Sequence, residues 1–276
     1  MLIATDLDRT LIFSEKFASQ HPSDLELLGC ENYRGANVSL IAATVRQALQ
    51  EISVVATLVP TTTRTAAQYE RLELGMRPPW VICCSGGVVL REHDGQLVAD
   101  ASWSAQVSAA MAAECAERGE LQQVLSGYAG RPWLREVRDG GGIFFILIVD
   151  PALLPATELA DLTHRGLLGN WRVVHQGGKV YVLPRVVTKA AAVEHVRRII
   201  TDESGVRPRL LAAGDSILDW DMICHADAGW TSPDGELAVL GRSRPGVVRT
   251  LRGGVESSVD LIDAWRGELS VPAAPR

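Results

Sequence analysis

Two carboxylates stand two positions apart at the start of the chain. Asp6 and Asp8 follow the apolar run Leu2-Ile3-Ala4-Thr5, within Asp6-Leu7-Asp8-Arg9-Thr10. On an extended chain, side chains at i and i+2 project to one face. At a strand's carboxyl end, such a pair suits binding one hard cation and acting on one substrate atom, as phosphate chemistry requires. The same residues also serve as helix caps. Three further sets fall where a buried strand is predicted to end or a helix to begin. Thr61, Thr62 and Thr63 follow Pro60 and offer hydroxyls for phosphate contact or for capping. Lys189 follows Thr188 at a predicted helix start, where a cation opposes the helix dipole at a cost of up to about 1 kcal/mol. A residue that breaks a local rule in this way suggests function. In Gly214-Asp215-Ser216-Ile217-Leu218-Asp219 two acids lie four apart, so one helical turn or tight loop aims both at one spot. Asp221, just beyond, suits the first turn of a helix.

The elements that must position these groups follow from apolar periodicity. Leu2–Thr5 reads as a buried strand, and 14–36 as loop with a short helix. The spacing of Ile41, Val45, Leu49 and Ile52 predicts a helix over 38–52, capped by Asn37 or Ser39. Val54 to Val59 and Trp80 to Cys84 read as buried strands around a helix from Thr65 to Leu74, and Ser85-Gly86-Gly87 as the turn that follows. The texture then changes. A hairpin is predicted around Asp94-Gly95, helices over 104–118, near Leu121 and over 155–167, a strand over 143–149, and a hairpin at Gly177-Gly178. Asp139-Gly140-Gly141-Gly142 reads as a turn, not a phosphate cradle, because a strand and not a helix follows it. After Pro184 come a helix from Thr188 to Ile200 and a buried strand from Leu210 to Ala213. The stretch after Leu269 reads as disordered. The pattern predicts an α/β protein with a Rossmann-like parallel-sheet core, residues 1–88 and 186–276, interrupted by an α+β unit over 89–185.

A chain of 276 residues suits one larger domain with an insertion, and 47% hydrophobic with 22% charged residues is an ordinary globular composition. The net charge of −6 argues against nucleic acid or an anionic membrane as partner, but not against a phosphorylated metabolite. Cys30, Cys83, Cys84, Cys115 and Cys224 lack metal-ligand spacing and read as reduced thiols of a cytoplasmic protein, and the histidines are too scattered for a zinc site. Neither a signal peptide nor a membrane span is expected.

Asp-x-Asp-x-Thr at 6–10, the threonines at 61–63, Lys189 and Gly-Asp-x-x-x-Asp-x-x-Met at 214–222, in that order, resemble the four motifs of the haloacid dehalogenase superfamily. The insertion between the second and third resembles the C2-type cap domain of the Cof and sucrose-phosphatase subclass. The resemblance implies a phosphatase hydrolysing a small phosphorylated metabolite, a sugar phosphate above all, through an aspartyl-phosphate. Asp6 would be its nucleophile, Asp8 its general acid and base, and Thr62 or a neighbouring threonine, with Lys189, its phosphoryl contacts. Mg²⁺ would be held by Asp6, the Asp8 carbonyl, Asp215 and Asp219. Arg9, Thr63, Arg64 and Gly86 are candidates to contact substrate, and a monomer or homodimer is expected. The resemblance also admits a hexose-phosphate phosphomutase or a non-catalytic phosphate-binding protein. Two positions depart from the motifs. Arg9 replaces a usual glycine, to touch substrate or pair with a carboxylate, and Leu218 replaces a frequent asparagine. Trp103, Trp133 and Trp171 of the insertion suit either sugar stacking or packing.

Overall fold

A computed structural model describes residues 1–270, and these divide into two compact units, Met1–Asp100 with the segment from Thr188 onward, and Ala101–Val187. In the first unit the apolar runs form a five-stranded parallel sheet. Its order is Val247–Arg249, Ala228–Thr231, Leu210–Ala213, Leu2–Thr5, Thr57–Pro60. The central Leu2–Thr5 strand registers Thr5 against Ala213 on one side and Pro60 on the other, so three loops leave the sheet at the same end. All four side chains of Leu2–Thr5 are buried, as expected for a strand covered on both faces. Pro60, which lacks an N–H, is tolerated as the last residue of its strand.

The stretch from 14 onward is more ordered than its polarity suggests. Ser14 caps a helix, Glu15–Gln20, and a two-stranded hairpin, Leu27–Tyr33 with Ala36–Ala42, follows it. The helix expected over 38–52 therefore starts later, at Ala43–Val55, with Ile41 on the strand and no side-chain cap at Ala42. The helix expected from Thr65 to Leu74 shrinks to Ala66–Tyr69, where Thr65 and Gln68 form a capping box. Trp80–Cys83, Val88–His93 and Gln96–Ala99 form an antiparallel sheet, so the hairpin assigned by sequence to the insertion belongs to the first unit.

In the second unit, Trp171–Gln176, Lys179–Pro184, Phe144–Val149 and Leu134–Gly140 pair antiparallel in that order. Phe145, Leu147 and Val149, alternate residues of one strand, pack with Leu121, Leu125 and Leu162 from the helices Arg118–Ser126 and Ala156–Leu168. One face of the sheet is thus covered by helices. Trp133 and Trp171 lie in that same core, so packing accounts for both, and Trp103 is buried as well. Asp139-Gly140-Gly141-Gly142 joins two antiparallel strands, with Gly141 and Gly142 in the left-handed region. The tail expected to be disordered lies, beyond Ser270, outside the described residues.

Candidate active site

The site is built where the Leu2–Thr5 strand runs out. The Asp6 amide donates to Ala213 O at 2.9 Å, which carries Asp6 one residue past the sheet beside the strand that delivers Asp215. Asp6 is 5% exposed. Lys189 begins the helix Lys189–Ser204, capped by the Thr188 hydroxyl, which accepts from the Ala191 amide. Its ammonium, fully buried, donates to Asp6 Oδ1 at 2.6 Å and Asp219 Oδ1 at 2.5 Å. Those two carboxylates answer the dipole penalty visible in the sequence. The Thr10 hydroxyl faces the other Asp6 oxygen at 3.4 Å. Asp219 Oδ2 accepts from the Ser216 amide at 3.0 Å and hydroxyl at 2.7 Å, so both of its oxygens are held. Gly214 leaves the room this needs, because a Cβ there would run into the Asp219 side chain. Gly86, at φ 101°, packs its backbone against Thr188 and Lys189, where a Cβ would collide with the Thr188 carbonyl.

Asp6, Asp215 and Asp219 each offer an oxygen within 4.8 Å of the others, and all three are buried. Three carboxylates face one ammonium at this point. Burial, followed by the Asp219 charge, pushes the Asp6 carboxyl up to about 7, with Lys189 only partly opposing it. Burial and then Asp219 also raise Asp215 well above the carboxylate range. Burial works against the Lys189 ammonium, but Asp219 and Asp6 outweigh it and hold its pKa above the ordinary value. An all-oxygen donor set that is short of positive charge fits a hard divalent cation such as Mg²⁺.

Asp8 is placed differently from the expectation of a shared face. The strand stops at Thr5, so strand alternation does not reach the pair. The Asp8 side chain is 47% exposed and stands outside the three-carboxylate cluster. Its two oxygens accept from Arg64 Nε and Nη2, both at 2.8 Å, in a bidentate fork. Arg64 in turn donates to Glu31 Oε2 at 2.7 Å and the Ser39 hydroxyl at 3.1 Å, so the groups it meets are the protein's own. Burial raises the Glu31 carboxyl, but Arg64, Ser39 and Arg71 hold it below its ordinary value. Glu31, Ser39 and Arg71 were not legible as site residues. Glu31 falls in the stretch that reads as loop, and its hairpin carries register shifts on both sides of it.

The hydroxyl cluster follows Pro60 on the adjacent strand. The Thr61 amide donates to Thr5 O at 2.7 Å and the Thr62 amide to Ile82 O at 2.8 Å, which ties the loop between two strands. Thr62 is fully buried, and its hydroxyl accepts from the Arg64 amide at 3.1 Å; Thr63 is half-buried beside it. Arg9 lies 3.5 Å from Asp215, the carboxylate-pairing reading of that position. Leu218 is buried at 1% exposure, and Asp221 caps its own helix turn by accepting from the Met222 amide.

This architecture has solved counterparts. The chain is similar to the sucrose-phosphatase of Synechocystis, solved with sucrose and phosphate, at 16% identity and TM-score 0.66 over 96% of this chain and 98% of that one. It is similar to the C-terminal domain of a trehalose-6-phosphate phosphatase from C. albicans, at 12% identity and TM-score 0.62 over 98% and 93%. It is similar to a phosphatase of the haloalkanoate (HAD) enzyme superfamily from Bacteroides thetaiotaomicron, at 16% identity and TM-score 0.52 over 96% and 94%. The chain has the fold of the phosphatases of that superfamily. No protein family and no curated protein matches its sequence.

Proposed function

We propose that this chain is a Mg²⁺-dependent phosphatase that hydrolyses a small phosphorylated metabolite, a sugar phosphate above all, through an aspartyl-phosphate on Asp6. The observation that carries the reading is the Lys189 ammonium spanning Asp6 and Asp219 at the carboxyl end of a parallel sheet. Open α/β sheets bind ligands at that end. Asp6, Asp215 and Asp219, with the Asp8 carbonyl, would hold the ion. When bound, it supplies positive charge against which an anionic carboxylate can approach an anionic phosphate. Asp6 forms a bond to phosphorus as the alkoxide leaves, and Asp8 donates the proton that the leaving oxygen takes up. Asp8 then takes a proton from the water that attacks the aspartyl-phosphate, releasing inorganic phosphate and restoring Asp6. Lys189 and Thr62 neutralise and orient the phosphoryl oxygens.

The likeness to a sucrose-phosphatase and a trehalose-phosphate phosphatase supports a sugar-phosphate substrate. The five free thiols support a cytoplasmic setting, where thiols stay reduced. Among the described residues no helix is long and apolar enough to cross a membrane. The proposed partner is a metabolite, with the chain acting as monomer or homodimer.

Phosphate release from sugar phosphates, nucleotides and an aryl phosphate tests the reading, run with Mg²⁺, with EDTA, and with Asp6→Asn. Metal-dependent release lost in the variant supports it. Conversion of a hexose phosphate to its isomer without phosphate release assigns a mutase. Ligand binding without any turnover in Mg²⁺ assigns a binding protein.

A further inference from the structure

Arg9 adopts φ 65°, in the left-handed region that strains an L residue and favours glycine. Its side chain has three partners. Nε lies 3.5 Å from Asp215 Oδ2, and Nη2 donates to the Asp234 carbonyl at 3.4 Å. The guanidinium sits 4.9 Å above the Phe17 ring. That ring is itself fixed by stacking on Phe13 at 5.6 Å and on His21 at 4.1 Å. The strained residue is therefore held on a built floor, with its charge aimed at one carboxylate of the buried cluster.

The division of charge is specific. Lys189 ties Asp6 and Asp219, whereas Arg9 pairs with Asp215, the third carboxylate of the cluster. Any divalent ion placed among the three oxygens meets the guanidinium's like charge and must share Asp215 with it. We propose that Arg9 is a tethered cation that keeps Asp215 paired when no ion is bound and competes with the divalent ion for it, lowering the cluster's affinity for Mg²⁺. The proposal rests on reading the cluster as a cation site, and Arg9 acts there as a positioning residue.

Isothermal titration with MgCl₂ of the full chain and its Arg9 variants, without substrate, tests it. Arg9→Gln removes the charge and keeps a side chain at the strained position, whereas Arg9→Gly removes both charge and strain. Both should bind Mg²⁺ about tenfold more tightly than the wild type, as a like charge removed from beside the ion requires. Arg9→Lys, which keeps the charge, should stay within about threefold of the wild type. Equal gains in the glutamine and glycine variants assign the effect to charge rather than backbone. Unchanged or weaker binding in both, with a wild type that takes the ion, overturns the role of Arg9 and leaves the cation site standing. If the wild type and every variant bind no Mg²⁺, the cation-site reading fails, and the role of Arg9 fails with it.

Discussion

Asp6 and Asp8 are two residues apart in sequence and far apart in surroundings. Asp6 is buried, shares an ammonium with Asp219 and is pushed up to about 7 by burial and by that neighbour. Asp8 is half-exposed and sits in the planar fork of Arg64, which is braced by Glu31 on a hairpin. One carboxylate is held where carboxylates outnumber ammonium groups and burial keeps water out. The other is held by a hydrogen-bond geometry at the edge of water. In the proposed reaction the two identical side chains have different tasks, covalent attack for Asp6 and, once it turns from the Arg64 fork, proton exchange for Asp8.

The difference is sharpest in turnover. Asp6→Asn should abolish phosphate release from every substrate, whatever its leaving group. Asp8→Asn should lower kcat by about 10²–10⁴ for a sugar phosphate and far less for an aryl phosphate, whose good leaving group needs little protonation. Steady-state rates on the two substrates check this, and equal losses in Asp8→Asn would remove its proton role.

Stability probes the same contrast. Lys189→Met leaves buried carboxylates without their cation and should cost about 3 kcal/mol in denaturant unfolding at neutral pH. Arg64→Gln releases the half-exposed Asp8 and leaves the buried Glu31 to Arg71 and Ser39, so the loss should be smaller, about 1–2 kcal/mol. If Arg64→Gln costs as much as Lys189→Met, the contrast between a buried and an edge network does not hold.

Glu31 supplies a pH signature. Its folded pKa is depressed, so its contribution is fully present above the ordinary Glu range and is lost as pH falls through the folded value. The wild type should therefore be more stable than Glu31→Gln at neutral pH, and the gap should close below about pH 4. Melting temperatures across pH check the sign. The smallest effect is expected at Asp221, whose carboxylate accepts from the neighbouring Met222 amide. Asp221→Asn should change stability by no more than about 0.5 kcal/mol, although Asp219 stands two residues away.

Three of the five core strands, Leu2–Thr5, Thr57–Pro60 and Leu210–Ala213, were legible because they are short apolar runs that end at turn-forming residues, whereas Ala228–Thr231 and Val247–Arg249 carry too little apolar length to be read. Elements with mixed surroundings were not. Leu134–Gly140 is an edge strand whose side chains are mostly exposed, so no apolar pattern marks it. The Leu27–Tyr33 strand carries bulges around Glu31, and an extra residue breaks the two-residue period on which strand recognition depends. The helix at Thr65 gives way after Tyr69 to a chain that bridges Leu72 to Glu31, a pairing no local pattern displays.

By itself the sequence determined the order of the strands' end loops and which residue types they carry, because local periodicity and turn chemistry act over a few neighbouring residues. Asp6, the threonines 61–63, Lys189, Asp215 and Asp219 could be placed on that basis, and the choice of Thr62 came from the family resemblance alone. Only the tertiary structure decided the partners. Lys189 lies 183 residues from Asp6, and Arg64 lies 56 from Asp8, and no local rule reaches across such separations. The charge state of a buried carboxylate depends on burial and on the charges that packing brings beside it, so it belongs to the folded chain and not to the motif.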